Sequence, residues 1–395
     1  MESSRILLIF TVLALMTGCG GGSKSSSGSS SPPPEVINVL SISVNGSLCS
    51  ADSYPNKPCV SVTICTPGTS NCQTINDILL DTASYGLRVF KQALSVPLTQ
   101  VTASPGSLAE CVQYGDGSSN WGPVQLANVV LGNEPPVQVP IQVIDYTFGT
   151  APAGCQNADM MPSDAGFNGI LGVGFFAQDC GSLCSNSAYN GVYYSCSGSN
   201  CVGTAVALSN QVQNPVVLLP RDNNGLIVQI PSVPLGGSPS VDGSLILGIG
   251  TSSNNAPATV TTYTADQSGD LITNFQNTLY PGFLDTGSNG LFFPSPLGAI
   301  LPNCAPPNEE WFCPSSTTSF SATNIGAPGS PSGVVPFKIG NFDSLIVSYN
   351  NVYVEIGGNE PGSFDWGLPF YFGRNVYMGF EGKASSLGSG LYWAY

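Results

Sequence analysis

The chain has 395 residues, of which 42% are hydrophobic and only 8% charged, with a formal net charge of −15. Nine Lys and Arg against 24 Asp and Glu leave no basic footprint for a phosphate backbone, which excludes nucleic acid as a partner. The complete absence of histidine removes Ser-His-Asp and Cys-His catalysis, His-based zinc sites and imidazole acid–base work, so any chemistry falls to carboxylates, hydroxyls, Lys, Arg or thiols.

The chain begins "MESSRILLIFTVLALMTGC", with Arg5 in a short polar start and an apolar run from Ile6 to Met16. That run is too short to span a bilayer as a mature helix and reads as an export signal over residues 1–18. Met16-Thr17-Gly18-Cys19 resembles a bacterial lipobox, which implies cleavage before Cys19 and lipidation of its thiol; a plain signal peptide cut nearby is the alternative. Residues 19–35 then supply a Gly/Ser tether with a stiffer exit at Pro32-Pro33-Pro34, suited to holding a folded body off a membrane. Gly20 after the cysteine, by resemblance to Gram-negative lipoproteins, points to the outer membrane.

Beyond the tether, 47 Gly and 32 Pro favour many short strands over long helices. Strand patterns appear in "VLSISVNG", "VQLANVVLG", "VQVPIQVID", "GSLILGIG" and "DSLIVSYNNVYVEIGG", with β-branched alternation bounded by Gly or Asn-Gly turns. "RVFKQAL" (Arg88 to Leu94) is one short helix candidate. Cys49, Cys59, Cys65, Cys72, Cys111, Cys155, Cys180, Cys184, Cys196, Cys201, Cys304 and Cys313 form an even set. In an exported chain they predict disulfides. Cys196 with Cys201 and Cys304 with Cys313 are close enough to close small loops, but spacing does not fix the pairing. A thiolate metal site is not expected, since no tight C-x-x-C pair occurs.

One acidic turn is written twice. "ILLDTASYGLRVF" spans Ile78 to Phe90, and "GFLDTGSNGLFFP" spans Gly282 to Pro294; they share Leu-Asp-Thr-x-Ser-x-Gly-Leu without a gap. Each is followed by a glycine-apolar stretch, "FNGILGVGFF" (Phe167 to Phe176) and "FDWGLPFYFG" (Phe364 to Gly373). This is a long-range duplication, and it divides the chain into a first β lobe at 36–205, with a cysteine-rich insertion at its end, and a second at 206–395. In such a turn an apolar strand delivers the aspartate, a small Gly287 permits close backbone approach, and main-chain N–H groups with the Ser288 hydroxyl hold the carboxylate. Thr286 can turn inward to a partner loop. Two such loops face to face bring two carboxylates together; they share a proton and can activate a water against a carbonyl.

The ordered set of motifs resembles the pepsin-like aspartic peptidases. The matching residues are Asp81-Thr82-x-Ser84 and Asp285-Thr286-Gly287-Ser288, then "QYGDGSSNWG" (Gln113 to Gly122) like the flap hairpin. "FNGILGVGFF" resembles the strand behind the first aspartate, "GSLILGIG" (Gly243 to Gly250) a second-lobe strand, and "GLPFYFGRNVYMGFEG" (Gly367 to Gly382) the closing strand pair behind the second aspartate. Within that superfamily the chain looks most like proteobacterial lipoproteins grouped as a domain of unknown function. The resemblance implies a mostly β, bilobal fold with an interlobe cleft. It implies a catalytic dyad of Asp81 and Asp285, Ser84 and Ser288 on the outer carboxylate oxygens, crossed hydrogen bonds from Thr82 and Thr286, and Tyr114 over the cleft. It implies no cofactor and no metal.

Three places depart from the family pattern. Ala83 stands where the family has glycine, which would cost roughly 1 kcal/mol if the turn needs a positive φ. Arg88 stands where many relatives carry tryptophan; it reads as a solvated or cleft-rim charge, and a guanidinium beside the dyad would oppose the shared proton. The spacing from Asp81 to Tyr114 is short, so the flap would be trimmed. Trp121, Trp311, Trp366 and Trp393 read as packing.

The expectation is therefore a monomeric, lipid-anchored aspartic endopeptidase of the bacterial envelope, with an extended peptide substrate in the cleft. A catalytically inactive binding or structural lipoprotein on the same fold is the alternative. A carbohydrate-binding surface protein is a third reading, resting on aromatics and Gly/Ser/Asn-rich loops.

Overall fold

A computed structural model describes residues 37–51, 54–295 and 301–395. The export signal, the tether and Cys19 fall outside the described residues. The protein is mostly β: short strands follow one another at turn-rich intervals, and α-helix is confined to single turns such as Pro162–Ala165, Ser182–Asn186 and Phe342–Leu345. Apolar alternation makes the strands and glycine ends them, as at Gly132 and Gly248, whose φ values of 60° and 78° are open to glycine at little cost.

Two sheet systems organise the fold. In the larger, Val39–Val44 runs antiparallel to Val241–Leu247, which also pairs with Gly225–Ile230. That strand pairs in turn with Arg374–Gly379, which pairs with Tyr392–Ala394 and through it with Thr262–Thr264. The first and last strands of the described chain thus share one sheet, and the residues from 37 onward form one compact unit. The other is a seven-stranded sheet built wholly from the second half of the chain, including Leu271–Phe275, Thr278–Leu284, Leu291–Phe293 and Phe364–Trp366.

The core differs between the halves. Ile42, Val60, Val62, Ile64, Leu80, Leu87 and Val89 give the first an aliphatic interior. The second is aromatic: Phe364 lies 4.3 Å from Trp366 and 5.2 Å from Phe293, and Phe337 is 5.3 Å from Phe293. Each such buried side chain contributes about 1.5–3 kcal/mol. All four tryptophans are buried as packing residues.

The twelve cysteines form six disulfides: Cys49–Cys59, Cys65–Cys72, Cys111–Cys155, Cys180–Cys184, Cys196–Cys201 and Cys304–Cys313. The two local pairs suggested by spacing are among them.

Three sequence expectations are corrected. The stretch "DSLIVSYNNVYVEIGG" is not a strand over most of its length: Phe342–Leu345 is a single helical turn, and only Gly357–Asn359 at its end is strand. The stretch Arg88–Leu94 is not a helix; Tyr85–Phe90 is a strand and only Lys91–Ala93 forms a 3₁₀ turn. The strand is held between Gly169–Val173 and Val137–Ile144, which supply ladder partners on both sides and override a weak helical pattern. The stretch from Gly367 is not a strand pair behind Asp285 either. Leu368–Tyr371 is a 3₁₀ turn, Arg374–Gly379 belongs to the sheet shared by both halves, and the strand behind Asp285 is Phe364–Trp366.

Candidate active site

Ile78, Leu79 and Leu80 end the buried strand Cys72–Asp81 and fix its last residue at the core surface. Gly169–Val173 lies parallel behind it, Leu171 opposite Leu80 and Gly172 opposite Asp81. A side chain at Gly172 would place its Cβ 2.6 Å from the Tyr85 nitrogen, so only glycine lets the Asp81 loop fold back over that strand. The second half repeats the arrangement. Thr278–Leu284 delivers Asp285, and Phe364–Trp366 lies parallel to it with Trp366 opposite Leu284. Gly367 passes so close to the loop that a Cβ would sit 2.0 Å from the Gly290 carbonyl oxygen.

The two loops lock together through their threonines. The Thr82 hydroxyl donates to the Leu284 carbonyl at 2.9 Å and accepts from the Thr286 N–H at 3.0 Å. Reciprocally, the Thr286 hydroxyl donates to the Leu80 carbonyl at 2.7 Å and accepts from the Thr82 N–H at 3.2 Å. Both threonines are buried. In that setting an unmade bond would leave a backbone group unpaired at about 1–3 kcal/mol, so the four bonds define the approach of the loops.

Above the lock the carboxylates meet. Asp81 Oδ1 accepts from the N–H groups of Ala83 (2.8 Å) and Ser84 (3.0 Å). Asp285 Oδ1 accepts from Gly287 N–H (2.7 Å), and Asp285 Oδ2 from the Ser288 hydroxyl (2.8 Å). A Cβ placed on Gly287 would lie 2.9 Å from Asp81 Cγ and 3.1 Å from both Asp81 Oδ1 and Asp285 Oδ1, so the two carboxyls flank one small space over that glycine. They are 7% and 9% exposed. Burial pushes the Asp285 carboxyl well above its ordinary range. The charges of Asp81 and Asp365 and a hydrogen bond with Asp81 push the same way, and the Ser288 hydroxyl pulls back. A buried pair of this kind holds a proton between its members.

The structure thus brings together Asp81, Thr82, Asp285, Thr286, Gly287 and Ser288. Ser84 contributes its N–H alone; its hydroxyl is buried without a hydrogen-bond partner, unlike that of Ser288. Ala83 is not at positive φ, so the alanine costs the turn no left-handed strain.

Tyr114 closes the strand Gly106–Gln113 at the tip of a hairpin with Ser119–Val130. Its hydroxyl donates to Asn120 at 3.0 Å, and its ring packs on Leu79, Phe90, Ile144, Phe167 and Ile170. Burial raises its phenol pKa, with Arg88 opposing that rise and Asp81 adding to it.

Arg88 is neither solvated nor at a rim. It is 1% exposed, and its guanidinium donates to the Tyr85 carbonyl (2.6 Å), Glu110 (2.7 Å) and Asp179 (3.0 Å). Asp179 also accepts from the Tyr193 hydroxyl at 2.7 Å. Burial, then the Glu110 charge, holds the Asp179 carboxyl well above its usual range. The cation is thereby committed to a buried cluster anchored on the hairpin strand, with neither Asp81 nor Asp285 among its hydrogen-bond partners.

Two residues near the pair were not anticipated. The Tyr371 hydroxyl lies 3.0 Å from the Thr82 hydroxyl. Asp365 is buried in the strand behind Asp285, and burial raises its carboxyl well above the usual range, with the Ser288 hydroxyl opposing the rise and the Asp81 and Glu360 charges adding to it.

A family model described as "Protein of unknown function (DUF3443)" matches residues 34–395. The chain belongs to the DUF3443 family. The match covers every described residue, so both acidic loops of this DUF3443 protein, the hairpin and the shared sheet lie inside the family's domain. A comparison with curated proteins finds no match.

Proposed function

We propose that this DUF3443 protein is a pepsin-like aspartic endopeptidase, bilobal, with a peptide substrate lying between the halves that carry Asp81 and Asp285. One observation carries the reading: two buried carboxyls from duplicated loops flank a single small space, over loops cross-bonded by Thr82 and Thr286. The chemistry follows from that pairing. One carboxyl is ionised and the other protonated, and a water between them is the nucleophile. The ionised oxygen takes a proton from the water as it attacks the peptide carbonyl carbon, and the protonated carboxyl donates to the carbonyl oxygen. The tetrahedral intermediate collapses as the amide nitrogen takes the proton that the first carboxyl gained from water and leaves, while the second carboxyl recovers its proton from the hydroxyl as the carbonyl re-forms. The upward push on Asp285 favours it as the proton holder and Asp81 as the base. In the full reading Cys19 carries a lipid, and the enzyme works on the bacterial envelope.

A second reading keeps the architecture without hydrolysis, as a binding protein of the envelope. It draws on the unequal loops: Ala83 stands where the pepsin-like family has glycine, and the Ser84 hydroxyl does not bond Asp81 as Ser288 bonds Asp285. The test is cleavage of an unstructured protein at mildly acidic pH by the full chain and by Asp285→Asn and Asp81→Asn. Loss of turnover in both variants is expected. Undiminished turnover in either refutes the peptidase reading, and tight binding of peptides without cleavage by the unmodified chain favours the second.

A further inference from the structure

The segment after the strand Gly225–Ile230 reads "PSVPLGG", from Pro231 to Gly237. Its two prolines lack N–H groups, and Gly236 and Gly237 turn at φ values of 83° and 87°, so it does not pair as a strand. The Gly236 N–H goes instead to the Glu355 carboxylate at 2.6 Å. The strand Ser332–Ile339 is the outermost of the seven-stranded sheet, with a ladder partner, Thr318–Ile325, on one side only. Between this strand and that segment lies a cavity of about 230 Å³. Buried Leu291, Trp366 and Phe370 line it, and Leu235, which is 52% exposed, marks its mouth. Four consecutive residues, Val335 to Lys338, also line it; side chains alternate between faces, so the cavity meets the strand at its open edge.

The lining is apolar except for Lys338 and Arg374. A chain with nine basic residues and a net charge of −15 thus places two of the nine here, and no acid. The Arg374 guanidinium lies 4.5 Å from the centre of the Phe370 ring and donates to the Phe370 carbonyl. A guanidinium has five N–H donors, and no other acceptor among the described residues takes one from Arg374. Lys57, Arg88 and Lys91 all form ion pairs, whereas Arg374 and Lys338 form none among the described residues. Burial lowers the Arg374 pKa, with only the Tyr395 phenol set against it. A half-buried cation without a counter-charge is a standing cost that an incoming anion relieves.

We propose that this cavity binds a free single-chain amphiphile, an alkyl carboxylate whose chain fills the apolar space and whose head pairs with Arg374, with exposed Lys338 adding a second positive charge. The size fits. An apolar cavity of about 150 Å³ takes benzene, and at about 30 Å³ per water-sized group this one has room for a chain of roughly eight carbons. An extended peptide adding to the open edge fits less well, because Pro336 and Lys338 are the residue types by which sheet edges refuse another strand. None of the residues that hold the two aspartates lines the cavity, so the proposal does not depend on the peptidase reading.

The test is calorimetric titration of the full, disulfide-bonded chain with butanoate, hexanoate, octanoate and decanoate, and with octanol and octylammonium. Saturable binding of octanoate is expected, tightening about fourfold for each added methylene and levelling off near eight carbons. Octylammonium has the same chain and the opposite charge. The acidic protein as a whole would attract it, so octanoate binding at least tenfold tighter identifies the two cations as the cause. Arg374→Gln should weaken octanoate by about tenfold and leave octanol unchanged. Methyl NMR shifts on binding should centre on Leu291, Val335 and Val354, which line the cavity. No saturable binding of octanoate, octylammonium binding as tightly, an affinity indifferent to chain length, or shifts centred elsewhere would each overturn the proposal. So would binding to phosphatidylglycerol vesicles with none to octanoate, which would assign the patch to a membrane surface. If Arg374→Gln fails to fold, octanoate against octylammonium on the unmodified chain decides the matter alone.

Discussion

Gly287 offers the sharpest perturbation, because one added methyl must enter the space between the carboxyls. Gly287→Ala puts a carbon 2.9 Å from Asp81 Cγ and 3.1 Å from two carboxylate oxygens. Ordinary contacts begin several tenths of an ångström farther out, so at least one carboxyl has to retreat. Neither can do so freely: Asp81 is held by the N–H groups of Ala83 and Ser84, and Asp285 by Gly287 N–H and Ser288. Overpacking against fixed groups costs about 1–3 kcal/mol. Gly287 is not at positive φ, so the cost comes from contact and not from the backbone. A displacement approaching 1 Å at reacting groups lowers turnover by about 100-fold. Calorimetry should show a Tm lowered by a few degrees, about 2–4 °C per kcal/mol for a larger domain. Initial rates on an unstructured protein substrate should fall by the stated factor with little change in KM. A variant with the Tm and rate of the unmodified chain would show that no shared space exists over Gly287, and the carboxyl pair would lose its geometric basis.

Thr82→Val removes a hydroxyl that bonds Leu284 O and Thr286 N–H and touches Tyr371, leaving buried backbone groups unpaired. A loss of about 2–4 kcal/mol is expected in urea unfolding, and a loss under about 0.5 kcal/mol would count against the lock. Glu134 is raised to about 7 from its ordinary 4.5, first by burial and then by a hydrogen bond with Asp222 and the Asp222 charge. Since the folded form binds this proton more tightly, the stabilisation is complete below pH 4.5 and disappears as pH rises through 7. Glu134→Gln has no proton to lose and should decline less than the unmodified chain between pH 5 and 8, by about 1–3 kcal/mol in unfolding free energy; parallel stability–pH curves would contradict this.

What could be read from the sequence was whatever lay in contiguous residues. The two Asp-Thr-x-Ser turns stand out because six of eight neighbouring positions repeat, and β strands show as alternation. The signals that failed depend on residues far apart. Arg88 looks like a surface charge because Glu110 and Asp179, which neutralise it, stand 22 and 91 positions away. The same stretch imitates a helix, since its neighbours Gly169–Val173 and Val137–Ile144 are invisible locally. Asp365 passes unnoticed as one acid in an aromatic strand; only register shows that it shares a face with Asp285. A period-2 reading of "FDWG" that turned both aromatics to the core would have pointed the acid toward the loop. The twin loops also suggest a symmetry that the details deny, for the Ser288 hydroxyl bonds its aspartate while the Ser84 hydroxyl is left without a partner.

The strand Val39–Val44 finds its partner at Val241–Leu247, and that sheet is completed only by Arg374–Gly379 and Tyr392–Ala394. A fragment stopping at residue 205 would leave the strand Val39–Val44 paired only at Ser43 and Val44, against Pro58–Cys65, and one starting at 206 would expose the edge meant for it. Truncated chains should therefore precipitate or complement each other when mixed. During synthesis the ladder cannot close until the last residues have emerged, which makes the assembly of this chain a late and long-range event.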